Sequence, residues 1–287
     1  MINLILGILF FNLILILFKL FDRYKVDNLQ AIVVNYLVAG FCGFQFSGLT
    51  ISTQELIQLD WLYIAFMIGS IFVIVFNMVA TGAQKIGMAI TTVANKMSVI
   101  LPVIASFFLY GDKITLLKIG GIILALIGVY LSTMNGKKLN FDRSYLWLLA
   151  LVFFGQGVAD ILFNYAQEIY VEPTEAEIFI AMLFFAAFVT GSLILITKVI
   201  QKKEKLRAKN LLWGIALGIP NYLTVFYFFK ALESDFMVSS QVYPILNMGV
   251  IVMSAITGFL LFREKLSTRN WIGIGLSVVA IAAISLG

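Results

Sequence analysis

Hydrophobic positions in this chain come in long unbroken runs, divided by short polar connections. Ten runs are long enough to cross a bilayer, since about 20 apolar residues span the hydrocarbon. They extend over Ile2 to Phe21, Leu29 to Leu49, Trp61 to Gly82, Met88 to Tyr110 and Ile114 to Met134. The second five cover Ser144 to Ala166, Thr174 to Ile200, Asn210 to Phe229, Phe236 to Phe262 and Thr268 to Leu286. The longest connections, Thr50 to Asp60 and Gln201 to Lys209, are too short to fold by themselves. The pattern predicts an all-α integral membrane protein with ten transmembrane helices. No basic region precedes the first run and no small-residue cleavage site follows it, so it is expected to be a retained helix.

Polar positions inside the runs are the next signal. The stretch Thr91-Thr92-Val93-Ala94-Asn95-Lys96-Met97-Ser98 interrupts the fourth run. Lys96 lies eight residues in, roughly 12 Å at a rise of about 1.5 Å per residue, near the middle of a core about 30 Å thick. An ammonium at that depth is costly and marks a polar path or a partner; the alternative is a side chain that snorkels to the interface. Pro102 follows and is expected to kink the helix. In span 6, Gln156, Asp160 and Asn164 recur every four residues and so share one helix face. That stripe reads either as a cavity wall, with Asp160 a partner of Lys96 or a proton carrier, or as a hydrogen-bond network between helices.

Span 8 carries Gly214 and Gly218, then Pro220, Asn221, Tyr222 and Tyr227. Pro220 is expected to break the helix and free carbonyls toward a cavity. Span 9 adds Gln241, Tyr243, Pro244 and Asn247, and spans 2 and 3 add Asn35 and Asn77, with Asn12 of span 1 a weaker lining residue. The substrate-binding set is therefore Lys96, Asn95, Asp160, Gln156, Asn164, Asn35, Asn77, Asn221, Tyr222, Tyr227, Gln241, Tyr243 and Asn247. Spans 5 and 10, with Gly120, Gly121, Gly128, Gly273, Gly275 and Ser277, read as smooth scaffold or dimer surface with almost no buried polar groups. Asp112 and Glu264, beside Lys113 and Lys265 at helix ends, are expected to cap and pair.

Composition narrows the function. Of 287 residues, 61% are apolar and 12% are charged, against about 25% charged in a soluble domain. Cys42 is the one cysteine, so no internal disulfide forms, and there is no histidine for zinc sites, general bases or proton relays. Neither GxxxxGK[ST] nor HExxH occurs. An enzyme is not expected, and neither is a cofactor, a metal or a nucleic-acid partner. The expected partners are a small-molecule substrate and the bilayer. Proton coupling through Asp160 and a homodimer through spans 5 and 10 are further expectations.

Basic residues crowd the loops after odd spans: Arg23, Lys25, Lys85, Lys137, Lys138, Arg143, the Lys198 to Lys209 segment, Arg263, Lys265 and Arg269. The connections after even spans hold Lys113, Lys118 and Lys230. The positive-inside rule makes the basic loops cytoplasmic and both termini external, in a cell (inner) membrane.

The halves also match each other. Ile16-Leu17-Phe18-Lys19 parallels Ile161-Leu162-Phe163-Asn164. Phe107-Phe108-Leu109-Tyr110-Gly111-Asp112-Lys113-Ile114-Thr115 parallels Phe259-Leu260-Leu261-Phe262-Arg263-Glu264-Lys265-Leu266-Ser267, and Gly121 parallels Gly273. A duplicated unit of five helices, an odd number, gives two inverted repeats, residues 1–136 and 144–287, with a substrate site near the midplane.

An apolar helix with mid-span Pro102, then Gly111-Asp112-Lys113-Ile114-Thr115 and a Gly-rich helix, resembles the EamA-like branch of the drug/metabolite transporter superfamily. The resemblance implies a ten-helix, five-plus-five inverted fold and small-metabolite transport, often export. Asp112 stands where Glu is usual, and the loop after span 2 lacks the basic residues of many members, which keep their termini inside. The function expected is secondary transport of small polar or zwitterionic metabolites such as amino acids by alternating access. The alternatives are a lipid or lipid-linked-sugar flippase and, further off, an intramembrane enzyme. A reporter fused after Gly287 is expected to be active outside the cytoplasm; activity confined to the cytoplasm would overturn the charge reading.

Overall fold

The structure is a computed structural model that describes residues 2–46, 56, 58–109, 111, 115–135, 138–139, 141–201, 205–232 and 239–286. The helices are α1 Ile2–Arg23, α2 Asn28–Phe46, α3 Leu62–Lys85, α4 Met88–Met97, α5 Ile100–Leu109 and α6 Leu116–Thr133. They continue as α7 Leu146–Ile169, α8 Ala176–Ile200, α9 Ala208–Leu232, α10 Ser239–Phe262 and α11 Thr268–Leu286. Ten spans are long and apolar enough to cross a membrane, with α4 and α5 together forming the fourth. The protein is a multi-pass membrane protein, and among the described residues a small antiparallel ladder pairs Met134 with Leu139 and Asn135 with Lys138.

The fourth span breaks at Ser98 and Val99. Pro102 has no N–H for the carbonyl of Ser98 four residues back. The gap closes in tighter turns instead: Leu101 N donates to Ser98 O at 2.9 Å, and Ser98 Oγ donates to Asn95 O at 2.5 Å. Pro220 behaves otherwise. The expected break is absent, and α9 runs through it from Ala208 to Leu232. Here packing holds the helix. Gly214 and Gly218 lie so near α2 that an added Cβ would stand 2.6 Å from Ala31 O and 2.9 Å from Asn35 O. Pro244 likewise lies inside α10 without ending it.

The chain divides into two compact units. The first comprises Met1–Leu20, Met78–Gly157 and Leu223–Gly287. Within it α4 packs on α10, and α6 lies along α11. Val93, Met97, Ile100, Ala125, Ile251, Ile274 and Ile281 form its main apolar core. The second unit comprises Phe21–Asn77 and Val158–Tyr222. There α2 packs on α8 around Leu29, Val33 and Leu195. Trp61, 1% exposed, sits edge-on to Phe179 and donates from Nε1 to Glu175 Oε2 at 2.8 Å.

The α6 and α11 pair, expected to have almost no buried polar groups, has several. Ser132, Thr133, Asn270 and Ser277 are buried there. Each is satisfied locally: Asn270 Nδ2 donates to Ser132 O at 2.7 Å and Met134 O at 2.9 Å, closing the end of α6. Glycines allow this approach. A Cβ on Gly121 would meet Ile284 Cγ1 at 2.7 Å, and one on Gly273 would meet Gly128 O at 2.7 Å, whereas Gly120 and Gly275 have nothing within 4 Å. Gly273→Ala is expected to destabilise by about 1–3 kcal/mol through overpacking. Gly275→Ala is expected to be neutral or to stabilise by up to about 1 kcal/mol through helix propensity. Thermal melting of both variants checks the contrast, and equal effects would contradict the close α6–α11 approach.

Candidate functional site

In the first unit, α4 presents its polar side chains along one side of a short helix. Thr91, Thr92 and Asn95 are buried, at 0%, 1% and 6% exposure. Asn95 Nδ2 donates to Gln156 Oε1 of α7 at 3.1 Å, so two residues of the expected site meet directly. The ammonium of Lys96 lies 4.2 Å from the ring centroid of Phe11. Phe11 is near the middle of α1, so this cation–π contact places the ammonium beside the middle of that helix rather than at its end. A ring face offsets only part of an ammonium's hydration, about 2 kcal/mol when desolvated.

The neighbours of Phe11 contact two more helices. Phe10 stacks on Tyr227 of α9 at 5.6 Å and an interplanar angle of 4°. Asn12 Nδ2 donates to Thr257 Oγ1 of α10 at 2.8 Å. The buried oxygens Asn12 Oδ1, Thr91 Oγ1, Thr92 Oγ1 and Asn247 Oδ1 of this unit have no hydrogen-bond partner among the described residues. Buried polar atoms normally find partners, so these are places where water or ligand would be stabilised. Asn247, from α10, is buried at 2% exposure. Gln241 and Tyr243 have side chains outside the described residues, and so does Asp112.

In the second unit, Asn35 and Asn221 pair across α2 and α9, both buried, with Asn221 Nδ2 3.1 Å from Asn35 Oδ1. With the Asn35 amide turned over, its nitrogen also reaches Leu217 O at 3.3 Å, and its oxygen accepts from Asn221 Nδ2 at 3.2 Å. Tyr222 stacks on Phe46 at 5.7 Å. Asn77 Nδ2 bonds back to Val73 O of its own helix at 2.8 Å. Asp160 is half-buried and Asn164 exposed, on the same α7 that carries Gln156 into the first unit. Lys96 and Asp160 thus belong to different units.

Sequence reasoning missed Phe10 and Phe11. Phenylalanines are so frequent in these runs that nothing singles these two out. It also missed Lys19, whose ammonium meets Glu264 Oε1 at 2.8 Å. The capping expected of Glu264 is present, but on α4: Met88 N donates to Glu264 Oε1 at 2.8 Å.

The family model for the EamA-like transporter family matches residues 1–134 and 175–286. An uncharacterized protein of Haemophilus influenzae is 29% identical over 97% of this chain and 96% of its own length. A probable 4-amino-4-deoxy-L-arabinose-phosphoundecaprenol flippase subunit ArnE of Hamiltonella defensa is 28% identical over 30% of this chain and 74% of its own. A solved crystal structure superposes with a TM-score of 0.62 over 98% of both chains at 16% identity, a likeness of fold.

Asn221→Ala is expected to cost about 0.5–2 kcal/mol, the worth of a buried interhelical hydrogen bond. Adding Asn35→Ala should cost less than the two single effects together. Melting temperatures of the singles and the double test this; strict additivity would mean that the two amides do not interact. With the match spanning both halves of the chain, the protein belongs to the EamA-like transporter family, a family of membrane transporters and not of enzymes.

Proposed function

We propose that this protein is a secondary transporter, working as an exporter or exchanger, for small polar or zwitterionic metabolites such as amino acids. It acts by alternating access in the cytoplasmic membrane, with its basic loops cytoplasmic and both termini external. Lys96 binds the carboxylate of the substrate through a charge-assisted hydrogen bond, and Asn95 and Gln156 supply neutral polar contacts. The observation that carries this reading is the Lys96 ammonium over Phe11, in the middle of α1, with the neighbouring Asn95 bonded to Gln156. Coupling to protons through Asp160 is part of the same proposal.

Two inverted repeats, residues 1–136 and 144–287, are the proposed frame. The helix pairs support it: α2 with α8, α4 with α10, and α6 with α11 each join elements one repeat apart. So do the turns after the fourth and ninth spans, where Gly111 and Arg263, matched in sequence, both have left-handed backbone, at φ 68° and 51°. A homodimer through α6 and α11 would use the faces of Gly120 and Gly275, because Gly121, Gly128 and Gly273 are occupied within the chain.

A second reading, a flippase for a lipid-linked sugar, is favoured by the partial match to the ArnE subunit. One screen separates the two. Purified protein is melted with amino acids, other small carboxylates and a polyprenyl phosphate. Ligand at a hundred times its Kd adds about 2.7 kcal/mol of stability. A soluble zwitterion is expected to stabilise the wild type, Lys96→Ala to lose that shift, and Lys96→Arg to keep part of it. Stabilisation by the polyprenyl phosphate alone would favour the flippase. A zwitterion shift unchanged in Lys96→Ala would remove Lys96 from the site.

A further inference from the structure

The helix that carries Lys96 starts without a cap of its own. Its N-cap residue is Gly87, with no side chain to accept from the first turn and with φ at 129°. The carboxylate of Glu264, 176 residues away, does that work, accepting from Met88 N at 2.8 Å. The same oxygen accepts from Lys19 Nζ at 2.8 Å, and Lys19 also donates to Ala83 O, in the last turn of α3, at 2.8 Å. The carboxylate thus lies at a helix N-terminus and the ammonium at a helix C-terminus, each at the end of the macrodipole that favours its sign.

The surroundings are shaped for this carboxylate. A Cβ on Gly87 would stand 3.0 Å from Glu264 Oε2, and one on Gly258 only 2.6 Å. The turn that presents Glu264 closes with Glu264 N donating to Gly258 O at 2.9 Å, and Arg263 adopts left-handed backbone to allow it. The helix end thus wraps back on itself through a bond that spans six residues, and it holds a non-glycine residue in left-handed backbone at some cost.

We infer that Glu264 and Lys19 are positioning residues for transport: they anchor the N-terminus of α4 and so set the depth and rotation of Lys96, eight residues on. A half-helix of ten residues, interrupted again after Met97, has few other backbone constraints. The consequence for substrate rests on the role of Lys96 proposed above, but the capping does not.

A plain ion pair has no polarity, whereas charges placed on helix ends do. The test uses full-length protein with Glu264→Gln, Lys19→Met, and the exchange Lys19→Glu with Glu264→Lys. Hydrogen exchange over residues 86–97 is expected to rise about fivefold in both neutral variants, as for the loss of one cap. Exchange in α2 and α8 should be unchanged. The swapped protein is expected to melt below either neutral variant, because each charge then faces the wrong helix end. Restoration of wild-type melting by the swap would reduce the pair to a simple salt bridge and overturn the inference. Unchanged exchange over residues 86–97, or a uniform rise along the chain, would overturn it as well. If the swap gives no folded protein, the exchange maps of the neutral variants decide. Failure of the Lys96 reading would leave the localised exchange change intact, so the two failures are distinguishable.

Discussion

A helix interrupted inside a membrane leaves backbone groups that hydrocarbon cannot satisfy, and the rest of the chain must supply their partners. The fourth span of this protein is where that constraint acts. Pro102 opens the helix at Ser98 and Val99, and a Ser98 hydroxyl and a tight turn absorb the freed groups. At the other end of α4 the partner comes from the α10–α11 turn, through Glu264. A short helix held at its ends by side chains can carry a charged residue at mid-depth without depending on lipid to stabilise it.

Close backbone approach is the second constraint. Apolar contact alone does little to drive helices together in lipid, so small residues that bring backbones near become decisive. In the first unit, Gly121, Gly128 and Gly273 press α6 and α11 together, and Asn270 closes the end of α6 across the same contact. In the second unit, Gly214 and Gly218 hold α9 against α2. The same approach places the Asn35 and Asn221 amides within reach of each other and keeps α9 continuous through Pro220. Proline and glycine thus have opposite outcomes in two spans, and the neighbouring helix decides which prevails.

The polar residues fall into two groups. Some are satisfied by structure: Asn270, Ser277, Gln30 with Asn210, and Asn77 on its own carbonyl ladder. Others have oxygens without a hydrogen-bond partner among the described residues, including Asn247, Thr91, Thr92 and one side of Asn12. That second group lies in the first unit.

The ten spans were legible in the chain because hydropathy is a one-dimensional property, and the ends that fall on described residues moved by only a few positions; Leu49, Tyr110, Ile114 and Phe236 lie outside the described residues. The odd residues were legible too: a lone ammonium in an apolar run, Asn95 beside it, and a proline after it are local signals. Span 6 showed Gln156, Asp160 and Asn164 on one face, since helical spacing alone puts them there. What each face meets was not legible, because it depends on the rotation of one helix against another far away in sequence. Tertiary structure alone brought Asn95 to Gln156, Lys96 to Phe11, and Lys19 with Glu264 to the start of α4. The apolar code that selects a membrane span is satisfied by any rotation of it. The choice among rotations was made by glycine contacts and helix-end hydrogen bonds, whose partners lie up to 245 positions apart.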